Sequence, residues 1–346
     1  MLDRQQLHFE FSGRGGEYFK IWIVNTCLSI ITLGIYSAWA KVRRNQYFYR
    51  HTQLAGASFD YHGDPKAILK GRIIAFVLFG SYSLLNHYNP VASLVVLLLI
   101  LLILPWLLVR SLRFRLHNTS YRGLRFAFLG DVKHAFIDLM LLPLLSMLTL
   151  GLLWPFAQRR MIRYIRNQSA YGNVLFNFNV SIGRLYGIYG MVFLYMLFMF
   201  AGTFGVSYLC GSYLELPDKF AGQLISLSAM VAAMVTYLAL LALFYSYVQA
   251  RMQNLIWQHT LLGEHRFGAD MKASKLLGIL FSNLLLIVIS LGFYKPYAEI
   301  RLARYRLEHI HLIANGNLDD FVTGIQGQVT AVGEEITDMF DFDVAL

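Results

Sequence analysis

Residues 32–47 read TLGIYSAWAKVRRNQY, and related stretches return at residues 149–164 (TLGLLWPFAQRRMIRY) and 290–305 (SLGFYKPYAEIRLARY). All three share a Leu-Gly pair, followed at fixed spacing by an aromatic residue, an alanine, an arginine and a tyrosine. In that order, the shared positions are Gly34, Trp39, Ala40, Arg43 and Tyr47; Gly151, Phe156, Ala157, Arg160 and Tyr164; and Gly292, Tyr297, Ala298, Arg301 and Tyr305. Three ungapped matches of this kind predict internal repeats.

Each repeat has the same predicted anatomy. An apolar arm of about 15 residues precedes the glycine, and a basic amphipathic helix follows it. Pro155 and Pro296 occupy one equivalent position after the glycine in the second and third copies. A glycine just past one helix and a proline in the first turn of the next favour two helices separated by a break. A single helix with a proline kink fits the same residues.

The composition indicates a polytopic membrane protein. Of the 346 residues, 57% are hydrophobic and 14% are charged, whereas soluble domains carry about 25% charged residues. Two further apolar stretches, residues 73–109 and 185–250, are interrupted near their middles at 86–90 and 215–219. Each stretch therefore predicts a pair of membrane helices joined by a short turn.

Short strands are predicted between the helices. Residues 7–11 alternate apolar and polar side chains. Four further segments place a glycine between two short runs: 51–63, 119–128, 169–178 and 259–268. This pattern is typical of β-hairpins, which need partner strands to be stable in water. We therefore expect an all-α polytopic membrane protein with three internal repeats and a small cytoplasmic β-layer of short hairpins.

These features divide one membrane domain, residues 1–346, into consecutive segments. The segments are repeat 1 (1–70), a helical hairpin (73–109), repeat 2 (115–182), a second helical hairpin (185–250), repeat 3 (255–316) and an acidic C-terminal tail (317–346). Two interpretations of the tail stay open. It is either a disordered cytoplasmic end, or a peptide that docks on the basic helices of its own chain or adds an edge strand.

The distribution of positive charge predicts the membrane topology. Lys and Arg number seven in residues 41–72 and six in 110–133, but none occurs in 86–90. Basic segments favour the cytoplasmic side, which places both termini there. An arm of about 15 residues spans roughly 22 Å as a helix, less than the ~30 Å hydrocarbon core. We therefore favour re-entrant or interfacial arms over seven full crossings, which would leave two basic segments outside.

Several short motifs stand near the two ends of the chain: Phe9-x-Phe11-x-Gly13, TLGIYSAWAKVR, YFYRHT and FDYHG near the N-terminus, and GNLDDF and FDFD near the C-terminus. With these motifs, the sequence resembles the YjgN-like family of bacterial inner-membrane proteins. The resemblance covers nearly the whole chain and implies a multi-pass protein of the inner membrane without an established activity. It carries over no catalytic or ligand-binding residue.

The basic helices have two interpretations. Their Lys and Arg residues fix orientation at the membrane surface and touch anionic phospholipid headgroups, or they converge on a shared vestibule that binds an anionic solute. Arg43, Arg160 and Arg301 are the candidate anion or lipid contacts, because each repeat places one arginine at that position.

Three polar residues fall inside apolar arms. Asn25 and Asn283 each lie nine residues before the repeat glycine, where an amide needs a partner on a neighbouring helix or on broken backbone, or contacts a solute. Asp138 is an acid within an arm, a feature that tends to be functional. Lys133 and His134 are one turn away, so local pairing at headgroup level is the simpler interpretation.

Motifs for catalysis are missing from the sequence. It contains no HExxH, CxxC or paired-acid pattern, and its glycine groups lack a phosphate-loop context. We therefore expect no metal, no cofactor, no nucleic acid and no enzymatic activity. The favoured function is binding or passage of a small anionic solute. The alternative is a non-transporting membrane module that binds anionic lipid or protein partners through its basic cytoplasmic surface.

Overall fold

Ten short antiparallel strands form a closed barrel. The computed structural model describes residues 4–213 and 219–326. The strands are β1 (Arg4–Phe11), β2 (Thr52–Leu54), β3 (Ala57–Tyr61), β4 (Thr119–Tyr121), β5 (Leu124–Phe128), β6 (Ser169–Tyr171), β7 (Val174–Phe178), β8 (Thr260–Leu262), β9 (His265–Ala269) and β10 (Ile310–Asn315). They pair in chain order, and β1 closes the barrel by pairing with both β2 and β10.

The expected fold class, an all-α protein with a small β-layer, is wrong. The four predicted glycine hairpins do form, as β2–β3, β4–β5, β6–β7 and β8–β9. They also pair with one another, and the first strand meets the last, with Leu7 opposite Leu312. Closure is the physical reason that an open layer does not persist, because a barrel leaves no edge of unpaired N–H and C=O groups.

Helices fill the connections at one end of the barrel. They are α1 (Gly15–Ile31), α2 (Ser37–Arg50), α3 (Pro65–Tyr88), α4 (Pro90–His117), α5 (Val132–Ala135), α6 (Leu142–Leu148), α7 (Trp154–Asn167), α8 (Ile182–Tyr213), α9 (Lys219–Gln258), α10 (Ala273–Ile289) and α11 (Lys295–Glu308). A π-helical turn, Phe136–Leu141, joins α5 to α6. A final helix, α12, covers residues 318–326.

The connecting helices leave and return to the barrel in five pairs. Phe11, at the end of β1, is the register partner of Thr52, at the start of β2, so α1 and α2 begin and end side by side. The same pairing of a strand end with the next strand start occurs at Tyr61 and Thr119, Phe128 and Ser169, Phe178 and Thr260, and Ala269 and Ile310. Three pairs contain the Leu-Gly motif and two are the long apolar hairpins. The three-repeat interpretation covers three of these five pairs and stays a prediction.

Each Leu-Gly motif forms a sharp turn between two helices. Leu33, Leu150 and Leu291 have φ between 49° and 52°, and each following glycine has φ between 85° and 93°. In the first motif the N–H of Gly34 donates to the carbonyl of Ser29 at 2.7 Å, which closes α1. Two successive left-handed residues reverse the chain, and glycine adopts this conformation at no steric cost. The chain therefore forms two helices here, not one helix with a proline kink.

Aromatic side chains fill the barrel. Phe59 stacks on Phe9 at 6.1 Å and on Tyr121 at 4.6 Å between ring centroids, and Phe176 lies 6.2 Å from Phe267. Leu318, Val322 and Ile325 of α12 belong to the same buried cluster. The barrel interior is consequently a packed core, and one face of α12 completes it.

For residues 318–326, the structure matches neither interpretation of the tail: they form a helix that docks on the barrel. It docks over the glycine-turn end of the barrel, where Asp319 pairs with Arg122 and the Phe321 ring lies 4.3 Å from His265. It does not dock on the basic helices. Residues 327–346, including the Phe-Asp-Phe-Asp pattern, lie outside the described part of the chain.

Much of the helical surface is apolar and exposed. By length and composition, three helices in the described part of the chain are suited to cross a membrane: Pro65–Tyr88, Pro90–His117 and Ile182–Gly202. The tips of the short hairpins are equally apolar, with Leu33, Leu150 and Leu291 94%, 95% and 89% exposed. In water, an apolar surface of this extent is a liability unless a partner or a membrane covers it.

Candidate functional site

A cavity of about 540 Å³ lies where the inner helices reach the barrel. Helices α2, α7, α9 and α11 line it, and Ile310 borders it from the start of β10. Its volume is within the range of small-molecule sites, and its lining combines apolar side chains with a few charged ones, as such sites do. The charged members are Arg44, Arg166, Arg306 and Glu299.

Helical spacing directs these side chains inward. Glu299, Ala303 and Arg306 lie three or four residues apart in α11 and therefore share one face. Arg44 and Phe48 have the same relation in α2. Helix α11 runs almost directly into β10, so Arg306 sits one turn below the barrel. The arrangement gives the helical mouth of the barrel a positive lining.

Arg166 stacks on an aromatic ring at the cavity wall. Its guanidinium carbon lies 4.4 Å from the ring centroid of Trp257, a cation–π contact that stabilises the buried charge. Burial, followed by repulsion from the nearby Arg115, lowers the pKa of Arg166 to about 10. Arg166 is still protonated at neutral pH, so the cavity carries its positive charge.

Arg306 lacks a full set of hydrogen bonds. Its Nε–H is buried and has no hydrogen-bond partner among the described residues. Leaving a buried donor unsatisfied costs about 1–3 kcal/mol, more for a charged group. Because Arg306 also lines the cavity, its guanidinium group can donate to an anion bound there.

The cavity's carboxylate is already engaged. Oε2 of Glu299 lies 3.2 Å from Arg44 and accepts a hydrogen bond from the Tyr18 hydroxyl at 3.0 Å. Arg166 and Arg306 are therefore without a carboxylate partner among the described residues. The site is suited to holding a negative charge rather than to exchanging protons, because its carboxylate is committed to Arg44.

The arginines predicted from the repeat do not meet in this cavity. Arg160 donates to Oδ1 of Asp138 at 2.9 Å, and Arg301 donates to Oγ of Ser282 at 2.8 Å. Arg43 lies over the ring of Tyr36 at 5.8 Å. Each of the three contacts its own helical pair, because the repeat position faces the preceding arm and not the barrel axis.

The three arm residues are all buried, with partners that differ. Asn283 donates to the carbonyl of Ala298 on the returning helix at 3.3 Å, as expected for an amide in an apolar arm. Oδ1 of Asn25 is buried with no partner among the described residues. Local pairing of Asp138 with Lys133 or His134 is wrong. Arg160 reaches Asp138 across the hairpin, while His134 pairs with Asp131 at 2.7 Å.

The repeat tyrosines tie each returning helix to the start of its arm. The hydroxyl groups of Tyr47, Tyr164 and Tyr305 donate to the carbonyls of Arg14, Asp131 and Lys272 at 3.0, 2.7 and 2.9 Å. The repeat alanines Ala157 and Ala298 are buried, while the repeat aromatics Trp39 and Phe156 remain partly exposed. These motif positions therefore have structural roles in the hairpins.

Arg166, Arg306 and Trp257 were not singled out from the sequence. The available signal was their position in the sequence, since each lies three or four residues before the start of a strand. That position places a side chain in the layer next to the barrel, but only once the barrel is known.

Comparison with known proteins defines the family. The profile of a family described as bacterial protein of unknown function (DUF898) matches residues 6–339. The chain belongs to this family. Among similar proteins, the inner membrane protein YjgN of Salmonella typhimurium (strain LT2) is 33% identical over 141 residues, 40% of this chain and 36% of the relative. Inner membrane protein YjgN of Escherichia coli O157:H7 is 29% identical over 211 residues, 59% of this chain and 52% of the relative.

The matched stretches thus span about a third to a half of these relatives. No solved structure matches this DUF898 chain. The relatives are named inner membrane proteins, and the apolar helices fit that location. The predicted resemblance to YjgN-like proteins is confirmed, and the relatives' names together with the apolar helices support a location in the bacterial inner membrane.

Proposed function

We propose that this inner-membrane protein binds a small anionic solute in the central cavity and has a binding role rather than a catalytic one. The supporting observation is that Arg166 and Arg306 face a cavity whose carboxylate is held by Arg44. Charge-assisted hydrogen bonds from guanidinium groups are the strong ones, and arginine geometry suits carboxylates and phosphates. Binding is favoured over passage, because aromatic side chains fill the barrel beyond the cavity.

The proposal includes a position in the membrane. The three short hairpins insert their apolar tips from the cytoplasmic side and turn back at the Leu-Gly motifs, while the two long hairpins, α3–α4 and α8–α9, cross the bilayer and return. Support comes from the exposure of Leu33, Leu150 and Leu291 and from the length of α1, 17 residues or about 25 Å. The barrel, both termini and the basic helix ends then lie on the cytoplasmic side.

Thermal denaturation of the purified protein in a non-ionic detergent tests the anion site. Citrate, inorganic phosphate and acetate are the probes, and choline and glycerol are the non-anionic comparisons. We expect at least one anion to raise Tm in a saturable way, because a ligand that binds only the native state stabilises it. The double variant Arg166→Gln/Arg306→Gln should lose that response.

A matched variant controls for loss of charge. Arg163→Gln/Lys275→Gln removes two cations from exposed positions outside the cavity and should keep the anion response. Equal loss in both variants, or no saturable response to any anion, contradicts the proposal.

The second candidate is a non-transporting module that recruits anionic lipid through its basic surface. The observation that favours it is that Lys20 and Arg43, which have no ion pair among the described residues, lie on a hairpin with an exposed apolar tip. A protein whose stability responds to anionic lipid, but to no soluble anion, supports this candidate instead.

A further inference from the structure

The three equivalent repeat arginines differ in the groups that accept hydrogen bonds from them. Arg160 is held by the carboxylate of Asp138, and Arg301 by the hydroxyl of Ser282. Arg43 makes no hydrogen bond or ion pair among the described residues, and its guanidinium rests over the ring of Tyr36. Among the described residues, Arg43 is therefore the repeat arginine that lacks a hydrogen-bond acceptor, whereas Arg160 and Arg301 each have one.

Arg43 faces a groove between α1 and α2. The groove has a volume of about 500 Å³. Lys20, Ile21 and Val24 line it from α1, and Arg43 and Arg50 line it from α2. Lys20 also makes no hydrogen bond or ion pair among the described residues. These two residues give the groove two cations available to an external ligand.

The remaining charges around the groove are engaged. Arg50 pairs with Asp60 at 2.9 Å. Glu17, a carboxylate near its barrel end, accepts a hydrogen bond from Tyr47 at 3.3 Å and lies 4.0 Å from His51. The groove therefore has a net positive character in its middle.

The position of the groove along the hairpin matches the polar boundary of a lipid leaflet. Lys20 lies twelve residues before Thr32, about 18 Å from the tip of the hairpin, and Arg43 is about 10 Å from the start of α2. Val24, one turn nearer the tip than Lys20, is 47% exposed, and the tip itself is apolar. Half of a ~30 Å hydrocarbon core is about 15 Å. A tip near the bilayer centre puts Lys20 just beyond the hydrocarbon core. The backbone of Arg43 lies several Å deeper, and its long side chain extends toward the same polar boundary.

We infer that this groove binds one anionic diacyl phospholipid. Its phosphate lies between Lys20 and Arg43, and an acyl chain runs past Ile21 and Val24 toward the tip. Two cations suit a headgroup with net negative charge better than a zwitterionic one, whose own cation they would repel. The inference rests on the proposed insertion of the hairpin tip, but not on anion binding in the central cavity.

Native mass spectrometry of the full chain in detergent tests the inference, with phosphatidylglycerol, phosphatidylcholine and soluble glycerol phosphate as probes. We expect a one-to-one phosphatidylglycerol adduct. Since a basic residue near a lipid surface contributes about 1 kcal/mol, or about fivefold, Lys20→Gln/Arg43→Gln should weaken the adduct by about 25-fold. The control Arg163→Gln/Lys275→Gln should leave it within about twofold.

The outcomes separate this site from the cavity. Loss of the phosphatidylglycerol adduct with an unchanged citrate response supports the groove site. Equal binding of phosphatidylcholine, binding of glycerol phosphate as tight as the lipid, or an adduct unaffected by Lys20→Gln/Arg43→Gln overturns it. Failure of the cavity proposal appears elsewhere, as an unchanged citrate response in Arg166→Gln/Arg306→Gln.

Discussion

Three side chains hold helix α12 on the barrel, and truncating one of them should release it. Leu318, Val322 and Ile325 are 7%, 4% and 3% exposed and share one helical face. Burial of an aliphatic side chain of this size contributes about 1.5–3 kcal/mol. The three together therefore contribute roughly 5–9 kcal/mol to docking.

We expect Ile325→Ala to weaken docking by at least about 2 kcal/mol, the low end of the cost of truncating a buried isoleucine. That free energy corresponds to about thirtyfold more frequent opening. Hydrogen–deuterium exchange measures it directly. Amides in 318–326 should lose protection by about that factor, while the barrel strands keep theirs, because opening of one helix is a local event.

Thr323→Ala is the matched control, because Thr323 is exposed on the other face of α12. It should leave the exchange of 318–326 within a few-fold of the native protein. Unchanged protection in Ile325→Ala would refute the docking argument. A uniform loss of protection across the barrel would show instead that α12 and the strands unfold as one unit.

Three further predictions concern stability in detergent. Tyr164→Phe removes the hydrogen bond to the carbonyl of Asp131 and should lower the free energy of unfolding by about 0.5–1.5 kcal/mol, measured by denaturant titration. Asp138→Asn should cost about 1.5–3 kcal/mol through the lost charge-assisted bond to Arg160, and a double-mutant cycle with Arg160→Gln should show that coupling. Burial lowers the pKa of His265 in the folded protein. The contribution of the neutral imidazole to the free energy of unfolding should therefore be fully present above about pH 6.5 and be lost as the pH falls through the lower pKa of the folded state. His265→Gln should flatten that dependence between pH 7 and 5.

The hairpins could be predicted from the sequence because their signals are local. Gly56, Gly123, Gly172 and Gly263 have φ between 56° and 79°, which is the reason that glycine stands between the short runs. The Leu-Gly breaks were predictable for the same reason. The conformation of each of these turns is determined by the few residues that form it.

Closure of the barrel could not be predicted in this way. It depends on β1 pairing with β10, and Leu7 and its partner Leu312 are about 300 residues apart in the chain. No short-range pattern marks strands that meet over such a distance, and hydrophobic alternation in a short run fits an open layer equally well.

The cavity was missed because basic helices carry arginine on more than one face. Arg43 and Arg44 are adjacent in sequence, yet Arg43 faces the outer groove and Arg44 faces the central cavity. The repeat emphasises Arg43, Arg160 and Arg301, which serve their own hairpins. Which arginines line the central cavity depends on how each helix is oriented against the barrel, and that orientation is set by the whole fold.

Fluorescence quenching of Trp257 tests most directly whether the central cavity attracts anions. In a protein whose four other tryptophans are replaced by phenylalanine, Trp257 reports from beside Arg166. The account predicts that iodide quenches this fluorescence more strongly than neutral acrylamide, that caesium barely quenches it, and that Arg166→Gln/Arg306→Gln removes the advantage of iodide. Quenching by iodide no stronger than by acrylamide, with no change in the double variant, would contradict an anion-attracting cavity.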